Sequence, residues 1–253
     1  MTQLITLTID IGGTGLKASV LRPDGTMCCD RVRTPTTYPC PPEALVRALC
    51  ALVGPLPDYD RVSVGFPGMV RGGRVLSASN LATIAGPGSA PSPELVEAWS
   101  GFDLRAALER ALGRPTRVVN DAELQGFAVI AGSGLEVVVT LGTGFGTAVF
   151  EDGRLAPHLE LGQHPFRKGE TYDQQVGDAA RKRIGTLRWN KRVASAVAAL
   201  EALFFFDHLY VGGGNSRRVK VDLGPKVSLV DNIAGLLGGV RLWDQPDQTG
   251  SGE

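Results

Sequence analysis

Apolar and polar positions alternate along the first ten residues, Ile5, Leu7 and Ile9 against Thr6, Thr8 and Asp10. That period of two predicts a strand that delivers Asp10 to its end. A glycine-rich turn, Gly12-Gly13-Thr14-Gly15, follows it, and Ala18 to Leu21 predicts a second strand that stops at Asp24-Gly25, as hairpins tend to. Beyond the Pro-rich stretch Pro35 to Pro42, Leu45, Val46, Leu49, Leu52 and Val53 fall on one face of a helix, and Arg61 to Phe66 reads as the next strand. A β-β-β-α-β order with glycine turns at strand ends predicts a mixed sheet flanked by helices, with ligands at the strand ends. Asp103 is placed to cap a short helix carrying Leu104, Ala107, Leu108 and Leu112, which Gly113-Arg114-Pro115 breaks. Thr116 to Val119 then predicts a strand that ends at Asn120-Asp121, with a helix from Ala122.

From Glu136 the pattern starts again. An apolar run leads to Gly142-Thr143-Gly144-Phe145-Gly146-Thr147, then to Ala148-Val149-Phe150 and the turn Asp152-Gly153. The chain therefore reads as internally duplicated, with one unit over residues 1–115, a second over 116–244, and a disordered tail over 245–253. Within the second unit, Val193 to Leu203 predicts a helix and His208 to Val211 a strand that runs into Gly212-Gly213-Gly214-Asn215.

The repeated turns have a chemical reading. Backbone N–H groups converge on phosphate oxygens only where the chain takes unusual dihedrals and no Cβ blocks the approach, which requires glycine. Gly12, Gly13 and Gly15, and again Gly142, Gly144 and Gly146, meet that demand, and Thr14, Thr143 and Thr147 add hydroxyl donors. The Asp10 carboxylate would repel phosphate directly, so its expected role is to hold a hydrated Mg²⁺ through water, with Lys17 lending a further positive charge. A ligand-free hairpin is the other reading of one such turn. Two equivalent turns favour a doubled phosphate cradle. Asp121, at a strand end, fits either a general base for an attacking hydroxyl or the N-cap of the following helix.

Charge and cysteine content narrow the field. Lys+Arg and Asp+Glu both number 26, so no global basic field points to nucleic acid as a partner. Cys28, Cys29, Cys40 and Cys50 form no Cys-x-x-Cys pair and have no nearby histidine, so reduced thiols and no structural zinc are expected. No apolar run has the length of a membrane span and no signal-peptide pattern opens the chain, so a cytoplasmic protein with no membrane partner is expected. The stretch His164 to Arg192 is locally basic, with eight Lys/Arg against three acids. It reads as a solvated face or as a strip that meets a polyanionic phosphate donor.

Seven motifs stand in order: Asp10-Ile-Gly-Gly-Thr-Gly-Leu-Lys17, Gly65-Phe-Pro-Gly68, Ser79-Asn80-Leu81, Asn120-Asp121-Ala122, Leu141-Gly-Thr-Gly-Phe-Gly146, Glu160-Leu-Gly162 and Val211-Gly-Gly-Gly-Asn215. By these the chain resembles the ROK sugar kinases, and within them the polyphosphate glucokinases, of the actin-like ATPase superfamily. The resemblance covers about the first 160 residues and the C-terminal glycine turn. It implies a two-lobed α/β fold of the actin-like ATPase (ribonuclease H-like) type, mixed sheets flanked by helices, with an interlobe cleft that closes on its ligands. It also implies Asp121 as catalytic base, Asn80, Asn120 and Glu160 on sugar hydroxyls, and Gly212, Gly213 and Gly214 on the adenosine side of the donor site. Glu170 is the nearby glutamate that would fill a further sugar-binding place. The family pattern puts His directly after Glu-Leu-Gly; here Gln163 intervenes. Either His164 reaches the sugar, or Gln163 replaces it, or neither touches ligand. Like polyphosphate glucokinases, the chain lacks the zinc-binding cysteine cluster of many ROK proteins.

The expected function is phosphoryl transfer from ATP or inorganic polyphosphate, with Mg²⁺, to the primary hydroxyl of a hexose, glucose before others, giving glucose 6-phosphate. Its rivals are a kinase for another sugar or a non-sugar acceptor, and a non-catalytic sugar-sensing regulator. Related kinases are commonly dimers, so a homodimer is expected, and Leu203-Phe204-Phe205-Phe206 reads as core or as such an interface.

Overall fold

The computed structural model describes residues 4–78, 80–230 and 236–246. It divides into two compact units, Met1–Ala128 with Gly235–Glu253, and Val129–Ala234. The first unit runs β1 (Thr6–Ile11), β2 (Gly15–Leu21), β3 (Val32–Pro35), α1 (Pro42–Val53), β4 (Arg61–Phe66), the short hairpin of β5 (Val70–Arg71) and β6 (Arg74–Val75), α2 (Pro93–Trp99), α3 (Leu104–Leu112), β7 (Thr116–Asn120) and α4 (Asp121–Val129). Its main sheet has the order β3-β2-β1-β4-β7. The β1–β2–β3 pairs are antiparallel and β1–β4–β7 parallel, so one end of the sheet collects the carboxyl ends of three strands. Leu7, Ile9 and Ile11 are fully buried in its core with Leu45 and Leu49 of α1. Asp103 caps α3 by accepting from the Ala106 N–H at 2.9 Å, and Gly113 ends it in the left-handed conformation (φ 65°) that a Cβ disfavours.

The second unit repeats the plan with β8 (Leu135–Leu141), β9 (Phe145–Glu151), β10 (Arg154–Leu155), the hairpin of β11 (Pro165–Arg167) and β12 (Glu170–Thr171), α5 (Tyr172–Val176), α6 (Asp178–Ile184), α7 (Thr186–Phe204), β13 (His208–Gly212) and β14 (Val227–Leu229). Its sheet order, β10-β9-β8-β13-β14, is the first unit's order strand for strand. The duplication read from the two glycine turns is therefore a duplication of topology. Helix α7 begins at Thr186 rather than Val193, because Trp189 in its first turns is fully buried and its indole N–H donates to the Val176 carbonyl at 2.6 Å.

Two boundaries differ from expectation. The units part after Ala128 and not at 115/116, because β7 pairs in register with β4 and carries α4 with it into the first sheet. The segment after residue 235 returns to that sheet. Helix α8 (Gly238–Arg241) lies so close that a Cβ at Gly238 would stand 1.8 Å from the Leu124 carbonyl oxygen, and one at Gly239 would stand 2.2 Å from Thr8 Oγ1. This covering is why Thr6 and Thr8 are as buried as their neighbours Leu7 and Ile9. Trp243 donates to Ser63 Oγ at 2.9 Å and lies under the guanidinium groups of Arg61 and Arg117, at 5.1 and 4.5 Å from its ring centre. Of the expected tail, Gln245 is tied by its carbonyl to Arg117 at 2.8 Å, and 247–253 lie outside the described residues. The Phe204-Phe205-Phe206 run divides: Phe206 is fully buried, while Phe205, which ends α7, is 79% exposed. No helix among the described residues is long and apolar enough to cross a membrane.

Candidate active site

In the first unit the chemistry collects at the carboxyl ends of β1, β4 and β7. The β1–β2 register sets Asp10 opposite Lys17, and the two side chains form an ion pair at 2.8 Å. The glycine turn closes on itself through Gly12 N–H to the Gly15 carbonyl at 3.0 Å. Its carbonyls are turned inward: Thr36 Oγ donates to that of Gly12 and the Tyr38 hydroxyl to that of Gly13, both at 2.7 Å. The Gly13 and Thr14 N–H groups have no acceptor among the described residues, and they are the donors a phosphate oxygen would use. Tyr38 also reaches the Asn80 carbonyl at 3.0 Å, so one hydroxyl joins the turn to the Asn80 loop. A side chain at Gly13 would strike Pro87 Cγ at 2.7 Å and Asn80 Cβ at 3.1 Å, so only glycine lets the two loops pack. Burial pushes the Tyr38 hydroxyl up to about 12, which keeps it a proton donor across the working pH range.

Asn120 and Asp121 divide the work at the start of α4. Asn120 Oδ1 accepts from Ala122 N–H at 2.8 Å, and Glu123 Oε2 accepts from Asn120 N–H at 2.9 Å, so two backbone donors at the helix start are satisfied. The Asn120 amide also donates to the Gly68 carbonyl at 2.9 Å. Asn120, and not Asp121, is thus the cap, and its buried amide is engaged by the backbone. Asp121 is the first residue of α4, its carboxylate 2.9 Å from the Ala122 N–H. The strand register sets Asp10 level with Val119, two strands across the sheet, and Asp121 follows two residues beyond Val119.

In the second unit the turn Gly142-Thr143-Gly144 closes through Gly142 N–H to the Gly144 carbonyl at 3.1 Å. Gly146 lies within β9, opposite Thr140. Thr147 is buried and donates to the Leu159 carbonyl at 2.9 Å, so its hydroxyl is not the ligand donor expected. Gly212-Gly213-Gly214 packs directly behind this turn: a Cβ at Gly213 (φ 84°) would lie 2.6 Å from the Leu141 backbone, and Asn215 N–H donates to the Leu141 carbonyl at 2.9 Å. Asp173 braces the turn from the other side, accepting from Phe145 N–H at 2.6 Å and from Gln163 at 2.9 Å. Burial, with the Glu160 charge adding to it, raises the Asp173 carboxyl above the ordinary carboxylate range, while the Phe145 and Gln163 bonds oppose the shift. Glu160 itself lies 3.4 Å from His158 Nε2. His164 is exposed, with Nδ1 2.9 Å from the carbonyl of Pro165. Glu170 belongs to a different group, with Gln175 and, at 3.7 Å, Arg183.

The ROK family model matches residues 6–160. This chain belongs to the ROK family. Polyphosphate glucokinase of Mycobacterium tuberculosis (strain H37Rv) is 29% identical over 226 residues, 86% of this chain and 80% of that protein. N-acetylmannosamine kinase of Escherichia coli (strain SE11) is 35% identical over 157 residues, 60% of this chain and 49% of its own. The crystal structure of inorganic polyphosphate/ATP-glucomannokinase from Arthrobacter sp. strain KM superposes with a TM-score of 0.79 at 30% identity, covering 94% of this chain and 98% of that one. The α/β fold expected from the resemblance, that of the actin-like ATPases, is the fold of these ROK neighbours.

For this ROK protein the expected residues fall into three groups. Asp10, Gly12, Gly13, Thr14, Gly15, Lys17, Asn80, Asn120 and Asp121 lie in the first unit; Gly142, Thr143, Gly144, Gly146, Glu160, His164 and Gly212 to Gly214 in the second; Glu170 stands with the arginines. Sequence reasoning missed Tyr38, His158 and Asp173, whose roles depend on partners 25, 2 and 28 residues away. Only His158, two residues from Glu160, carried a local signal. As to metal, Asp10 is a single carboxylate with a cationic neighbour. The Lys17 ammonium opposes a cation at this carboxylate, so Mg²⁺ would be held there through its waters and by the substrate's phosphates as much as by Asp10.

Proposed function

We propose that this ROK protein is a sugar kinase that moves a phosphoryl group from ATP or inorganic polyphosphate to the primary hydroxyl of a hexose, with glucose giving glucose 6-phosphate. The observation that carries the reading is the position of Asp121, the first residue of α4 at the carboxyl end of β7, in the same sheet whose β1 leads through Asp10 into the Gly12–Gly15 turn. Asp121 takes the hydroxyl proton as the sugar oxygen attacks the terminal phosphorus; the P–O bond to the donor breaks, and the donor leaves one phosphate shorter. The Gly13 and Thr14 N–H groups and Lys17 stabilise charge on the transferring group. Mg²⁺, when bound, supplies further charge neutralisation, and Asp10 would hold it through water. Asn80 and Glu160 orient the sugar, and Gly142 to Gly144 with Gly212 to Gly214 hold the donor. The resemblance further implies a cytoplasmic homodimer.

One observation favours a second reading, a kinase for another acceptor. Gln163, the residue that departs from the family pattern, is bonded to Asp173, and His164 turns to its own neighbour's carbonyl. The sugar-facing end of this segment is therefore not that of the family pattern. A coupled assay decides, with purified protein, Mg²⁺, ATP or polyphosphate, and glucose, mannose, glucosamine and N-acetylmannosamine as acceptors, beside Asp121→Asn. Turnover that collapses in the variant supports the kinase and names its acceptor. Absence of turnover with every pair, in folded protein that binds glucose, would replace it with a sensor.

A further inference from the structure

The chain is neutral as a whole but unevenly charged. Residues 164–220 carry eleven Lys/Arg against five Asp/Glu, and all of them lie in the second unit. The five acids are largely engaged already. Asp178 holds Arg181 and Lys182 at 2.7 and 2.8 Å, Glu201 holds Lys226 at 2.8 Å, and Asp207 accepts from Leu135 N–H at 2.8 Å. Asp173 braces the glycine turn, and Glu170 accepts from Gln175. Arg167, Lys168, Arg188, Lys191, Arg192, Arg217, Arg218 and Lys220 have no acidic partner within 4.0 Å among the described residues.

Three of the basic groups are gathered. The β11–β12 register sets Arg167 opposite Glu170; Arg183 lies 3.7 Å from Glu170 and 3.3 Å from the Gln174 carbonyl; Arg192 donates to the Gln175 carbonyl at 3.3 Å. Of the three guanidinium groups, only that of Arg183 comes within 4.0 Å of the Glu170 carboxylate. Burial lowers the Arg192 pKa, the charges of Arg167 and Arg183 add to that shift, and the Glu170 charge opposes it. Such crowding of like charge is relieved by an anion with several negative charges.

The surface also has a direction. Helix α6 starts on the glycine turn, with Asp178 N–H donating to the Gly142 and Thr143 carbonyls at 3.1 and 3.3 Å, and its last turn carries Arg181, Lys182 and Arg183. The Asp178 carboxylate, which holds Arg181 and Lys182, thus stands next to the expected donor loop, and the positive charge of α6 follows about one helical turn farther on. The segment offers no stacking platform there. Phe166 and Tyr172 stack on one another at 4.4 Å and Tyr172 on Phe145 at 5.1 Å, while Trp189 is fully buried. The exposed ring, Phe205, is at the far end of α7, about 25 Å along the helix from Arg188. A single-stranded nucleic acid is held by aromatic faces for its bases as well as by charge for its phosphates. An inorganic phosphate chain needs only the charge.

We infer that this face binds inorganic polyphosphate, anchored by Arg167, Arg183 and Arg192, with α6 leading the chain toward Gly142-Thr143-Gly144. The binding stands independently of catalysis; its use as donor rests on the kinase reading above.

The test measures binding and turnover separately. Calorimetric titrations of the full chain with long-chain polyphosphate, tripolyphosphate and a single-stranded oligonucleotide of equal charge are run at two salt concentrations. The same set is run on Arg167→Gln/Arg183→Gln/Arg192→Gln and on the matching triple Lys variant, after thermal melting confirms that each is folded. Long-chain polyphosphate should bind more tightly than either other anion, with affinity falling as salt rises. The Gln variant should lose about tenfold or more of that affinity and flatten the salt dependence by about two to three in log–log slope. The Lys variant should retain most of the affinity. In turnover, the ratio of kcat/KM with polyphosphate to that with ATP should fall by a similar factor in the Gln variant. Unchanged binding in the Gln variant, or an oligonucleotide that binds as tightly as polyphosphate, overturns the inference and leaves the kinase reading intact. Salt-sensitive polyphosphate binding with no phosphoryl transfer from any donor overturns the kinase reading and leaves the basic face standing.

Discussion

The two glycine hairpins occupy the same place in two sheets of identical strand order, yet they are braced in different ways. The Gly12–Gly15 turn is flanked by an ion pair, Asp10–Lys17, and held by neutral hydroxyls of Thr36 and Tyr38 on its carbonyls. Among the described residues the Gly142–Gly144 turn has no charged pair of its own; a carboxylate, Asp173, takes the N–H of Phe145 from behind, and α6 starts on its carbonyls. The fifth strands differ as well, since β7 ends in Asn120 and leads straight into Asp121 of α4, while β14 ends in Leu229. Duplication supplied two cradles of one geometry, and divergence of the residues behind them gave each its own chemistry. The first carries Asp10, Asp121 and the path through Tyr38 to Asn80. The second carries a turn backed by glycine and followed by arginines.

If the division holds, the largest effect belongs to the first unit. Asp121→Asn should lower kcat by about 10²–10⁴-fold, the range of general-base contributions, with glucose binding by calorimetry nearly unchanged. A variant within tenfold of the native rate would move the base elsewhere. Asp10→Asn comes next, with a loss of roughly a hundredfold, as expected when about 3 kcal/mol of metal-assisted charge stabilisation is removed, and with a raised Mg²⁺ requirement. The same rate at the same Mg²⁺ concentration would make the Asp10–Lys17 pair a structural one.

What the sequence reveals of this comparison is the part written locally. Alternation in Ile5 to Asp10 and the glycine turns are short-range patterns, so both hairpins and the duplication are legible, and so is the cap of α3 by Asp103. The return of α8 to the first sheet is not, because it depends on Gly238 and Gly239 fitting against Leu124 and Thr8, residues more than a hundred positions away. Hairpins such as β5–β6, with two residues per strand, are too short to show alternation. The sites divide in the same way. Asp10 and Asp121 are conspicuous at predicted strand ends, whereas Tyr38 and Asp173 act on backbone groups that only the folded chain brings near.

The braces themselves give smaller effects and test whether the hairpins are held as differently as they look. Tyr38→Phe leaves the Gly13 and Asn80 carbonyls without their shared donor, which should destabilise the first unit by about 1–3 kcal/mol and raise KM for the sugar. Because the hydroxyl joins the phosphate turn to the Asn80 loop, the loss should appear in the KM for donor as well. A fall in thermal stability alone, with both KM values unmoved, would make Tyr38 a packing residue. Gly144→Ala is the matching perturbation in the second hairpin. Its Cβ would meet Asp173 Oδ1 at 2.7 Å, so the carboxylate must shift and donor KM should rise with little change for the sugar.

The smallest effect is a slope with pH. The Asp173 carboxyl is raised from its ordinary value of 3.8, chiefly by burial, so in the folded chain its neutral form is favoured relative to the unfolded chain. The sign follows from linkage. Whatever Asp173 contributes to stability is fully present below 3.8 and is lost as pH rises through its higher folded value, where the native state must carry a poorly solvated charge. Asp173→Asn keeps an oxygen to accept from Phe145 N–H and carries no charge to desolvate. Thermal melts of the two proteins should therefore draw together or cross as pH rises above 3.8, the native chain losing ground to the variant by a few degrees at most. A difference that stays constant from acid to neutral pH would mean that Asp173 titrates normally. The second hairpin would then be braced by hydrogen bonding alone, with no charge tuned behind it. No such slope should accompany Tyr38→Phe, since a hydroxyl with a pKa of about 12 stays protonated throughout that range.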